Sequence, residues 1–111
     1  MITVYGIKNC DSVKKVTHFL KTQGVEFSFI DFKKTPVTTD VITSWLNHVN
    51  LSQLLNTKGT TYKTLKLAEK NLSDQEKISA MTEYNLLIKR PVVDFDGHII
   101  VGPDLSYFES F

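Results

Sequence analysis

Cysteine is nearly absent from this chain: a single residue, Cys10, stands among 111. No internal disulfide can form, and no zinc site can be built from thiolates alone. His18, His48 and His98 are scattered without metal-ligand spacing, so no metal is expected. Excess charge of one sign is absent too. Thirteen Lys and Arg stand against twelve Asp and Glu, so no net field draws the chain to nucleic acid or to a membrane surface. No apolar run is long enough to span a bilayer. The stretch from Met1 to Tyr5 begins directly in strand-like sequence. It lacks the charged and long apolar regions of a signal peptide, and a cytoplasmic location is the default expectation. What remains is an ordinary globular composition, 41% apolar and 23% charged. The length supports one hydrophobic core and one domain, residues 1–111.

Ile2 to Tyr5 is a short β-branched and aromatic run closed by Gly6, and it reads as a buried first strand. Asp11 and Ser12 suit the start of a helix with Val13, Val16, Phe19 and Leu20 as its apolar positions and Gly24 just past its end. Val25 to Phe32 reads as a second strand, giving a β-α-β unit with parallel strands. Pro36 breaks the chain. Thr38-Thr39-Asp40 then caps a helix carrying Val41, Ile42, Trp45, Leu46 and Val49, and helical sequence continues from Leu51 to Leu55. Asn56 to Thr61 is a polar loop, and Tyr62 to Leu72 holds one or two short helices. Ser73 and Glu76 form a capping box for another helix, with Ile78 and Met81 on its buried face. Val92–Phe95 and His98–Val101 flank Asp96-Gly97, a strong two-residue hairpin signal. Gly102-Pro103-Asp104 opens a last short helix bearing Leu105, Tyr107 and Phe108.

Strand, loop and helix in that order place Cys10 at or just before the N-terminus of the first long helix. Unpaired backbone N–H groups and the positive end of the helix dipole stabilise a thiolate there, and Lys8, Lys14 and Lys15 lie close in sequence. A lone cysteine is ordinarily an inert core residue, but a loop position between Asn9 and Asp11 favours a reactive one. The residue three places on is Val13, so there is no C-x-x-C pair. Dithiol exchange needs a resolving sulfur within reach, and this chain must borrow a thiol from outside, with glutathione the abundant candidate. Arg90-Pro91 is the second informative point. A proline can open a strand where no ladder donor is needed, and the preceding arginine offers a planar fork of donors for a carboxylate or oxyanion.

Three segments, Tyr5-Gly6-Ile7-Lys8-Asn9-Cys10-Asp11, Leu54 to Tyr62 and Ile88-Lys89-Arg90-Pro91, together resemble the ArsC/Spx family, and within it the small bacterial branch called YffB. The resemblance implies a thioredoxin/glutaredoxin-like α/β sheet, βαβ…ββα, with a helical subdomain inserted at about residues 38–84. It also implies a cis Pro91 beside Cys10, with Cys10 as nucleophile, glutathione as co-substrate and glutaredoxin closing the cycle. Arg90 and Pro91, with Lys8, Asn9 and Lys58, are the residues expected to receive substrate or glutathione. Where arsenate reductases of the family place further arginines, this chain has Asn56 (or Lys58) and Gly102-Pro103, and losing arginine forks weakens the grip on a multiply charged oxyanion. The leading expectation is therefore a glutathione-dependent thiol reductase. A glutaredoxin-coupled arsenate reductase is the second expectation. A non-catalytic Spx-like regulator that docks on RNA polymerase is the third. Direct nucleic-acid binding is expected in none of them.

Overall fold

Hydrophobic alternation at the start of the chain produces a strand with one face in a core. In the computed structural model, which describes residues 2–102, Ile2–Gly6 is strand β1, alternately buried and half-buried. Asp11–Thr22 is helix α1, and its buried residues Val13, Val16 and Leu20 recur at helical spacing. Strand β2, Phe27–Asp31, runs parallel to β1. It is shorter than the sequence pattern suggests because both ends are taken by turns. Val25 N–H bonds back to Leu20 O at the end of α1, and Lys34 and Thr35 N–H bond back to Asp31 O. Strands β3, Val92–Phe95, and β4, His98–Val101, complete a sheet in the order β2-β1-β3-β4, with β3 antiparallel to both neighbours. Their turn is made by Asp96 (φ +49°) and Gly97 (φ +93°), two left-handed residues whose twist matches that of the strands. Asp94 Oδ1 accepts the Gly97 N–H at 2.9 Å. Ile2, Val4, Val16, Leu20 and Val93 form the core between α1 and the sheet. The last helix expected around Leu105 and Tyr107 lies outside the described residues.

The chain divides into two compact units, Met1–Thr35 with Arg90–Phe111, which holds the sheet, and Pro36–Lys89. In the second unit, helix α2 spans Thr39–Trp45, with Thr38 Oγ1 accepting the Val41 N–H at 3.5 Å. It stops short of Val49, and a new helix, α3, occupies Leu51–Leu54. Leu55 leaves the helical path to bridge Ile88 in antiparallel fashion, while Asn56 N–H bonds Leu87 O and Lys89 N–H bonds Leu54 O. Long-range pairing thus overrides the helical tendency read for Leu55. Helix α4, Thr60–Thr64, begins inside the stretch expected to be loop. Helix α5, Asp74–Glu83, carries the capping box in both directions: Ser73 N–H donates to Glu76 Oε1 at 3.0 Å and Glu76 N–H to Ser73 Oγ at 3.2 Å. Asn85, buried, accepts the Val37 N–H at 2.8 Å and donates to Met81 O at 2.9 Å, fastening the end of α5 to the segment before α2. Among the described residues no helix is long and apolar enough to cross a membrane.

Candidate active site

Cys10 is the N-cap residue of α1. Its backbone is extended (φ −128°, ψ 121°), its carbonyl accepts the Lys14 N–H at 2.9 Å, and its side chain makes no capping hydrogen bond. The thiol is free and partly exposed. The first-turn N–H groups of α1 therefore stay available to a negative charge at this end of the helix. Two features hold the cysteine there. The loop of Ile7, Lys8 and Asn9 is released by the last residue of β1, and the first turn of α1 is pressed onto that strand. Gly6 permits the close approach: a Cβ at position 6 would lie 2.6 Å from Val13 Cγ2. The second residue of the Tyr-Gly pair is thus a packing requirement, one that spacing alone does not reveal.

The β1–β3 register sets Tyr5 opposite Val92. Pro91 and Arg90 accordingly enter the sheet at the end where β1 releases the Cys10 loop. The Arg90–Pro91 peptide bond is cis, Pro91 is fully buried, and its carbonyl accepts the Gly102 N–H at 2.8 Å. Arg90 is half-buried, with Nε inside the fold. Parallel β2 reaches the same end, with Asp31 paired to Gly6. This carboxyl end of β1 lies between a parallel and an antiparallel neighbour, the kind of place where open α/β sheets bind ligands.

Lys8 and Asn9 are exposed in the loop before Cys10. The first unit therefore carries five of the six residues singled out in the sequence: Lys8, Asn9, Cys10, Arg90 and Pro91. Lys58 belongs to the second unit, exposed in the loop ahead of α4. There Asn56 Oδ1 accepts the Lys58 N–H at 3.3 Å, and a Cβ at Gly59 would fall 2.7 Å from Asn56 Nδ2. Asn56 shapes this turn. Tyr5, read from sequence only as part of a strand, faces away from α1 on the same side of the sheet as Asp94. Burial first, then the negative charge of Asp94, raises its phenol above the ordinary value of 10.0. Among the described residues no group of three or more His, Cys, Asp or Glu is placed to hold a metal ion.

The arrangement is a free, partly exposed thiol at a helix N-terminus, at the sheet end where an arginine and a cis-proline open a strand. Comparison with known proteins gives the family and the fold. The ArsC family model matches residues 5–111. An uncharacterized protein of Haemophilus influenzae is 35% identical over 103 residues, covering 92% of this chain and 90% of its own length. An arsenate reductase of Yersinia enterocolitica is 30% identical over 94 residues, 83% of this chain and 67% of its own. Among solved structures, a YFFB protein superposes with a TM-score of 0.92 at 30% identity, over 99% of this chain and 97% of its own. The fold is thioredoxin-like, as the three motifs implied.

Proposed function

This chain belongs to the ArsC family, and from that premise we propose that it is a monothiol reductase in which Cys10 is the nucleophile and glutathione the reductant. The thiolate of Cys10 attacks one sulfur of a disulfide substrate, forming a Cys10 mixed disulfide and releasing one substrate half as a thiolate. A first glutathione thiolate attacks the Cys10 sulfur, displacing the bound half as a second thiolate and leaving Cys10 glutathionylated. Another glutathione thiolate then attacks the glutathionyl sulfur, restoring the Cys10 thiolate and leaving as glutathione disulfide. The balance is one disulfide and two glutathiones in, two thiols and one glutathione disulfide out. With a single sulfur in the chain, the resolving thiol must be external.

The observation that carries this reading is the position of Cys10 at the N-cap of α1, at the sheet end where Arg90 and cis-Pro91 enter β3. Arg90 offers a planar, bidentate site for a glutathione carboxylate, and Lys8 adds a second cation on the loop. Arsenate is the less favoured substrate, because this chain has Asn56 (or Lys58) and Gly102-Pro103 where arsenate reductases of the family place further arginines. Intact-mass analysis after exposure to glutathione disulfide tests the proposal. The folded protein should gain one glutathionyl group, lose it on addition of glutathione, and gain none as Cys10→Ser. Arg90→Lys should slow adduct formation although the charge is kept. Arsenate reduction in the presence of glutathione and glutaredoxin should be slow beside disulfide reduction. No adduct on the folded protein, with a ready adduct on the denatured one, would make Cys10 inaccessible and sink the proposal.

A further inference from the structure

A groove of about 900 Å³ runs between α1 and β2, apart from the thiol. Its floor is apolar, made by Val13 and Val25 with Phe27 and Phe29 of the strand. Lys14, Thr17 and Lys21 form one wall on a single stripe of α1, and Lys8 stands at the end nearer Cys10. All three lysines are exposed, and Glu26 is the one acidic residue among those lining the groove. The groove thus carries a local positive excess in a chain whose net charge is only +1. Its far side is β2, the end strand of the sheet, so one row of β2 backbone groups has no strand neighbour among the described residues. Such an edge accepts an added strand.

We propose that this groove docks a short acidic segment of a partner protein, laid in extended form along β2 with apolar side chains on the phenylalanine floor and carboxylates toward the lysines. The dimensions fit. Lys14 and Lys21 are seven residues apart, about 10.5 Å along a helix rising 1.5 Å per residue. That is the reach of three to four extended residues at about 3.3 Å each. A second copy of this chain is a poor occupant, because a two-fold pairing would set Lys8, Lys14 and Lys21 against themselves. The proposal does not depend on the redox reading, since no groove contact uses the thiol.

The test is a titration of the full-length, isotope-labelled chain with two capped tetrapeptides, Asp-Leu-Phe-Glu and Lys-Leu-Phe-Lys, followed by amide resonances. The acidic peptide should shift Lys14, Thr17, Lys21 and Ser28, and the shifts should weaken as salt is raised. Cys10→Ser should give the same shifts, which separates this result from any failure of thiol chemistry. The double variant Lys14→Glu/Lys21→Glu changes only exposed residues and should keep its resonance dispersion. It should bind the acidic peptide about tenfold more weakly, two rim charges being reversed, and should now prefer the basic one. Equal binding of both peptides, shifts confined to other surfaces, or loss of the shifts in Cys10→Ser would overturn the proposal. So would concentration-dependent movement of the groove resonances without peptide, which would assign the groove to a second copy.

Discussion

Alanine at position 6 adds one methyl group at a close contact between β1 and α1. The new Cβ would lie 2.6 Å from Val13 Cγ2, 0.8 Å short of the 3.4 Å at which ordinary contact begins. Val13 is 2% exposed and β-branched, and in a helix it has essentially one rotamer, so it cannot turn away. The helix must move instead. Overpacking of this kind costs about 1–3 kcal/mol, and a stiff, buried neighbour puts Gly6→Ala in the upper part of that range. For a domain of this size, about 2–3 kcal/mol lowers Tm by roughly 8–12 °C. Val13→Ala removes both Cγ atoms and by itself loses about 2 kcal/mol through lost burial and the cavity left behind. In the double variant the methyl at position 6 occupies part of that space, so the two effects should fall short of additivity by at least about 1 kcal/mol. Urea unfolding of the four proteins closes the cycle. Because Val13 lies one turn past Cys10, Gly6→Ala should also slow glutathionylation of protein that is still folded, and Gly6→Ala/Val13→Ala should recover part of the rate. A Gly6→Ala protein within about 0.5 kcal/mol of the parent, or strictly additive effects, would refute the packing argument.

Asn85→Leu keeps the branched heavy-atom shape but leaves the buried Val37 N–H without its acceptor, and thermal unfolding should report a loss of about 2 kcal/mol. Ser73→Ala removes the acceptor of the Glu76 N–H and should cost about 1 kcal/mol. The Ser73 backbone N–H, and after it the Ser73 hydroxyl, hold the Glu76 carboxyl below its ordinary 4.5. Its contribution is therefore present above pH 4.5 and lost as pH falls through the lowered value. Glu76→Gln should flatten that acid limb in urea titrations across pH, and an unchanged limb would remove Glu76 from the account.

Local chemistry by itself determined much of this protein. Asp96-Gly97 between two β-branched runs specifies the β3–β4 hairpin, because two adjacent left-handed residues are what such a turn needs. The spacing of Val13, Val16 and Leu20 and the pairing of Ser73 with Glu76 mark α1 and α5 in the same way, since each signal lies within one or two helical turns. The placement of Cys10 at a helix start follows from strand, loop and helix in succession. Other features depend on residues far apart in the chain, and no local pattern carries them. Leu55 continues a helical run in sequence, yet it ends up bridging Ile88, and Asn85 becomes a buried cap for Val37. Gly6 looks like a strand terminator until the helix folds back and Val13 fills the space its missing side chain leaves. The adjacency of the Arg90–Pro91 entry to the Cys10 loop exists only because β3 pairs antiparallel to β1 with Tyr5 opposite Val92. The basic groove exists only because β2 is left at the edge of the sheet. Strand order and register are long-range choices, decided by which faces can be buried together.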